Sequence, residues 1–223
     1  MGLLDDLKKQ ADLVKTQQIL QQSLQTDKLK LVDDKMKKLF QYVNELLKQL
    51  AVLKPTSPLV FQVPEVGTLK DMVFTEQFID YRRKRIGDKD YFDTIHFFIK
   101  WASGQTIVIE RDMPPTAQRV RESLWLSKVK FTEEDKKNSK GFTVGAKFIV
   151  PVSVITDVTV KADNDGGRLL LQSAHLLYLG AEQFVIPAAE VSDELLEDFA
   201  RALIGQPNNL AKFRTAGGPG TLR

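Results

Sequence analysis

The densest concentration of chemically capable side chains is Tyr81-Arg82-Arg83-Lys84-Arg85, which continues through Lys89 and Asp90 to Tyr91 and Phe92. Guanidinium and ammonium groups pair with phosphates while interleaved rings stack on bases, so this spacing fits an anionic ligand or nucleic acid. Asp80, Asp88, Asp90 and Asp93 dilute the positive field. Solvated strand-end surface is therefore the simpler reading, and the candidate anion-binding set is Arg82, Arg83, Lys84 and Arg85. The chain has two histidines, His96 and His175. Strand alternation puts His96 on the face opposite Ile95, Phe97 and Ile99. A metal site would need both rings to converge with carboxylates, and ordinary surface or pocket positions explain them better. Glu190, Asp193, Glu194, Glu197 and Asp198 crowd the start of a helix, where they favour its dipole.

Other chemistry is excluded by residue type or by spacing. The chain contains no Cys, which removes disulfide scaffolds, Cys-ligated zinc, iron–sulfur clusters and thiol nucleophiles, and suits a reducing compartment. No nucleophile elbow, phosphate loop, dinucleotide fingerprint or His-Glu-x-x-His occurs. Asp163-Asn164-Asp165-Gly166 has the look of a calcium loop, but it would place Lys161 and Gln172 where carboxylates are required, so a hairpin turn is expected. No catalytic residue, metal ligand or cofactor-binding residue is expected, and the chain reads as a non-enzyme needing no cofactor.

The elements that must position these residues follow from composition and period. Of 223 residues, 43% are hydrophobic and 27% charged, enough to bury a core. The net charge of +3 lies in residues 1–54, which hold ten Lys against seven acids, so residues 55–223 balance to zero and lack the basic excess of a nucleic-acid-binding domain. The opening Met1–Lys9 lacks a basic region followed by an apolar run, and no window holds the roughly 20 apolar residues of a bilayer span. A soluble cytoplasmic protein without a transmembrane segment is expected.

Residues 3–53 contain no Gly or Pro and are rich in Leu, Lys and Gln, which predicts helix. Val32, Met36, Leu39, Val43, Leu46, Leu50 and Leu53 step by 4 and 3 in alternation, a heptad seam expected at an oligomer interface. The alternative is that this helix docks on the following domain. Thr26 and Asp27 are plausible caps, so two helices, 3–25 and 28–53, in a hairpin or kinked, are expected. Beyond Lys54-Pro55-Thr56-Ser57-Pro58 the period falls to 2, predicting strands at 59–63, 67–81, 92–102, 105–111, 142–150, 153–161, 168–172, 174–179 and 183–187. Ser103-Gly104 and Asp165-Gly166-Gly167 read as hairpin turns, with helices at 114–126 and 192–204. Residues 133–140 read as a charged loop and 215–223 as a frayed tail.

The fold class is α+β: a helical, coiled-coil-like arm (1–54), then a mostly antiparallel β-rich body of two units, 55–126 and 127–210, with a tail at 211–223. His96–Ile109 leading into the first body helix parallels His175–Ile186 leading into the second, so a repeated hairpin–helix unit is one option and coincidence the other. Val150-Pro151-Val152-Ser153-Val154-Ile155-Thr156-Asp157-Val158-Thr159-Val160, with the strand–strand–helix unit behind it, resembles bacterial pleckstrin-homology-like domains. Leu53–Ser57, Asp80–Arg85 and Ala202–Asn208 are similar to a bacterial protein family of unknown function, a likeness that carries no functional residues over. The expected function is a non-catalytic oligomeric adaptor or scaffold that binds another protein through its β-rich body. Binding of nucleic acid or an anionic ligand by residues 82–85 is the alternative.

Overall fold

A computed structural model describes residues 3–217. One uninterrupted helix, α1, runs from Leu3 to Leu53, a length of about 75 Å at 1.5 Å per residue. The expected break at Thr26–Asp27 is absent. Thr26 Oγ1 instead donates to the Gln22 carbonyl at 2.8 Å, turning a candidate cap into a bond inside the helix. The helix ends where Lys54 turns left-handed (φ 43°) ahead of Pro55.

The strands that follow are β1 (Phe61–Val63), β2 (Gly67–Leu69), β3 (Val73–Ile86), β4 (Lys89–Arg111), β5 (Thr132–Lys137), β6 (Thr143–Asp163), β7 (Arg168–Ala174), β8 (Ala181–Pro187) and β9 (Arg214–Gly217). Two helices join α1, α2 (Pro114–Leu126) and α3 (Asp193–Leu203), which makes the chain an α+β protein with a long N-terminal helix and a mostly antiparallel body. β1 and β2 form a small hairpin; the rest make one seven-stranded sheet in the order β3-β4-β6-β7-β8-β9, with β5 also paired to β6.

Ser103-Gly104 does not reverse the chain. It bulges β4, whose pairing with β6 jumps from Ala102↔Ser153 to Thr106↔Pro151 and continues antiparallel to Arg111↔Ala146. The ladder resumes at Thr106, opposite Pro151, whose missing N–H leaves a gap beside the bulge. The expected pairs 92–102/105–111 and 142–150/153–161 are therefore single long strands, and the hairpin–helix resemblance lacks its first hairpin. The sheet also runs through the boundary expected at residues 126–127, joining the two expected units. Residues 132–137 of the expected charged loop form β5 on β6. Of the expected tail, Arg214–Gly217 pairs with β8, and residues 218–223 lie outside the described residues. Ser192 caps α3 by accepting from the Leu195 N–H, and Gly205 (φ 75°) closes it, the Gln206 N–H bonding back to the Arg201 carbonyl at 2.8 Å.

Alternation sorts the sheet into two faces. Ile95, Phe97, Ile99 and Trp101 of β4, Val154, Val158 and Val160 of β6, and Leu169, Leu171, Phe184 and Ile186 are all buried on the helix side. α3 packs Phe199 edge-on to Phe97 at 5.9 Å. α2 buries Ala117, Val120 and Leu124 over the sheet beyond the bulge.

α1 covers the first half of this face. Val32, Met36, Leu39, Val43, Leu47 and Leu50 are buried in the chain's own core, while Leu46 is only half-buried and Leu53 is 72% exposed. The seven residues expected at an oligomer seam are thus placed within one chain or, at Leu53, left uncovered. The shift from Leu46 to Leu47 has a simple cause. A straight helix drifts about 20° per heptad from a 3.5-residue repeat, so on a sheet the contact line moves one residue on. Polar clamps flank the line: Asp33 Oδ1 accepts the Phe92 N–H at 2.6 Å, Lys35 Nζ donates to the Val191 carbonyl at 2.8 Å, and Lys38 pairs with Asp193 at 2.8 Å.

Leu47→Ala should lower the unfolding free energy by about 2–5 kcal/mol through the cavity it leaves. Leu53→Ala should stay within about 0.5 kcal/mol of the parent. Urea unfolding of both variants checks the contact line, and equal losses would contradict it.

Candidate functional site

The basic cluster lies on the protruding β3–β4 ribbon, where Arg82 pairs with Thr94 and Arg83 with Phe92 across a bulge at Asp93. Adjacent strand residues point to opposite faces. Arg83 turns toward the helix side, its guanidinium 5.0 Å from the Phe92 ring and 5.7 Å from the Tyr81 ring. Phe40 of α1 completes that aromatic group, 4.8 Å from Tyr81. Arg82 and Lys84 point the other way. All four cations, Arg85 included, are exposed, but the pleat divides them rather than gathering them into one patch.

His96 stands on the open face of the sheet, as alternation requires, with Nε2 3.0 Å from Asp157 Oδ2. Phe78 and Phe98 stack beside it with ring centroids 5.8 Å apart. His175 occupies a different setting. Along one edge of β6, β5 pairs as far as Ile149 and β7 begins at Asp157. Between them, Lys128, Val129, Lys130, Ser153, Val154, Ile155 and His175 line a cavity of about 60 Å³. Two residues at this gap, Lys128 (φ 51°) and His175 (φ 59°), are left-handed without being glycine, a strain that packing must hold in place.

His175 is 4% exposed. Its Nδ1 accepts the Gly180 N–H at 3.1 Å, and the ring bonds to the Lys128 backbone, which favours its protonated form. Burial outweighs that bond and pulls the imidazole pKa down to about 4, so the ring is neutral at pH 7. The His175 carbonyl also accepts from Thr156 Oγ1 at 3.0 Å. Across the same β7–β8 loop, Glu182 Oε2 accepts the Leu176 and Leu177 N–H groups at 3.1 and 2.9 Å. Burial pushes this carboxyl above its ordinary range, opposed by the backbone donors and by Arg214. Both buried ionisable groups are thereby engaged in fixing the backbone of residues 175–180. They staple the loop, with both ring nitrogens of His175 engaged by backbone and none free for proton transfer.

Among the described residues, no three His, Asp or Glu side chains are grouped to hold a metal ion. Asp163 of the calcium-like stretch binds Arg168 Nε at 2.6 Å and the Gly166 N–H at 3.0 Å, which together hold its carboxyl below the usual range. No helix among the described residues is long and apolar enough to cross a membrane.

Two uncovered apolar features lie on helices. Trp125 and Leu126, 75% and 71% exposed, stand side by side at the end of α2. The buried positions 117, 120 and 124 step by 3 and 4, and residue 125 falls one step off that line. Counting apolar residues alone assigns this tryptophan to the core; the phase of the helix is what reveals it. In the first half of α1, Leu13, Ile19, Leu20 and Leu24 are each more than half exposed. Comparison with protein-family models, curated proteins and solved structures finds no match for this chain.

The buried histidine sets a pH dependence. Its folded pKa lies below the unfolded value near 6.5, so its contribution is full above that value and is lost as pH falls toward 4. Between pH 7 and pH 5 the loss should be about 2 kcal/mol. Glu182, raised by burial, acts in the opposite sense and regains stability as pH falls through its folded pKa. Denaturant unfolding at both pH values should show a larger drop for the parent than for His175→Gln. Equal drops would mean that the imidazole is not buried neutral.

Proposed function

We propose that this protein is a non-catalytic adaptor or scaffold that works as an oligomer and binds another protein through its β-rich body. The observation that carries the reading is the Trp125–Leu126 pair, presented on α2, whose other face is locked to the sheet by Ala117, Val120 and Leu124. A large amphipathic ring on a rigid element is the kind of side chain that dominates protein–protein contacts, since it loses little conformational entropy when covered. Gln118, Arg121 and Glu122 border the pair. Arg121 is itself held by Glu133 of β5, so the rim is polar and ordered around an apolar centre, the anatomy of a binding patch. Use of His175 and Glu182 as backbone staples favours a scaffold over an enzyme. For polyanion binding by residues 82–85, the division of the cations between two faces weakens the case.

A photo-crosslinking residue at position 126 should give a discrete protein adduct in cells, lost when Trp125 is changed to Ser with the melting temperature within a few degrees of the parent. An adduct with nucleic acid, or one indifferent to Trp125, would overturn the reading.

A further inference from the structure

The free half of α1 carries a second apolar stripe. Leu13, Gln17, Leu20, Leu24, Asp27 and Leu31 step by 4, 3, 4, 3 and 4 residues. At 3.6 residues per turn they share one side of the helix, about a third of a turn from the side that docks at Val32–Leu50. The body approaches the helix on the other flank, where Gln25 and Lys28 bond to Asp165 at 3.1 and 3.2 Å. The stripe is left open: Leu13, Leu20 and Leu24 are 65%, 58% and 62% exposed, and Leu31 is 37% exposed. Thr16 to Thr26 holds no charged residue, so nothing along this stretch repels a neighbouring helix.

The pattern of apolar and polar positions along the stripe is palindromic: Leu, Gln, Leu, Leu, Asp, Leu. Laid antiparallel on a copy of itself about an axis near residue 22, Leu13 meets Leu31, Leu20 meets Leu24, and the Gln17 amide meets the Asp27 carboxylate. A parallel pairing would set Asp27 against Asp27 and leave two like charges facing in the seam. An isologous contact, in which residue i meets j and j meets i, is what a two-fold dimer requires.

We infer that the free half of α1 pairs with a second copy of this chain, antiparallel, through the stripe from Leu13 to Leu31. This deepens the oligomeric part of the reading above and rests on it, while the partner-binding patch on α2 stays independent. The seam is shorter than three heptads and has two polar positions per helix, which makes the dimer a weak, concentration-dependent one.

Sedimentation of the full chain should show a monomer–dimer equilibrium, and Leu20→Lys combined with Leu24→Lys should shift it to monomer. Because both leucines are exposed, the melting temperature of the dilute protein should stay unchanged. Gln17→Lys, which would face Asp27 of the other copy, should tighten the dimer several-fold. The chain lacks cysteine, so a spin label on Gln10→Cys reports direction cleanly. Antiparallel pairing separates the two labelled positions by about 36 Å along the axis. Parallel pairing would bring them to about the interhelical distance of 8–10 Å, plus label arms. A parent chain that is monomeric up to its solubility limit, a dimer that survives the double Lys change, or labels side by side would each overturn the inference. A monomeric parent that still forms the position-126 adduct would remove the dimer alone. An intact dimer without that adduct would remove the partner-binding reading and uphold the dimer.

Discussion

Burial of one face of a single helix against one face of a sheet is the constraint on which the rest of this structure depends. The helix-facing side of β4, β6, β7 and β8 presents an almost unbroken aromatic and aliphatic surface from Phe97 and Trp101 to Ile186. Left in water it would remove the largest favourable term in folding. α1 covers it with Val32, Met36, Leu39, Val43, Leu47 and Leu50, α3 closes one flank with Phe199, and α2 covers the stretch beyond the bulge. The clamps from Asp33, Lys35 and Lys38 fix the helix by the backbone of β4, the Val191 carbonyl and the start of α3. They set direction and register where apolar contact alone would allow sliding.

That docking has a geometric consequence at the other end of α1. With about twenty residues committed to the sheet and no Gly or Pro to bend the chain, the remaining turns continue past the body as a rigid projection. Its leucines lie about a third of a turn from the docked side, so they cannot join the same core without unwinding the helix. The protein therefore carries two kinds of apolar surface on one element: a stripe satisfied within the chain, and a stripe that only another surface can cover. The staple at His175 and Glu182 plays a comparable part in the body. Where β6 lacks a neighbouring strand, it ties a strained loop to the end of α2, close to the exposed Trp125–Leu126 pair.

How much of this was legible in the residues depended on the range of the interaction that decides each feature. The helical character of 3–53, the change to period 2 after Pro58, α2 and α3 are local and could be read directly. Continuity was not. Ser103-Gly104 has the composition of a turn, and only the pairing of β4 with β6 on both sides of it makes it a bulge. Thr26 has the composition of a cap, and only the uninterrupted carbonyl ladder turns it inward to Gln22. The seam from Val32 to Leu53 was visible as a pattern, but heptads and a helix docked on a sheet differ by one residue over this length, so Leu46 was read where Leu47 is buried. The basic cluster was found, yet its division between two faces required the strand register. His175 reads as a surface or pocket position, but its burial could not be read, because the gap between β5 and β7 creates it.

With the pairing inferred for Leu13–Leu31, α1 divides near residue 31 into two halves. One is buried on its own sheet. The other touches the body only through exposed polar bonds at Gln25 and Lys28, and its apolar stripe is covered by association. Hydrogen exchange along α1, followed at low and at high protein concentration, tests this division most directly. Amides of residues 32–50 should exchange only through global unfolding and at a rate independent of concentration, while those of residues 13–28 should exchange quickly in dilute protein and slow as concentration rises. Uniform protection along the whole helix, or a concentration dependence confined to residues 32–50, would contradict it.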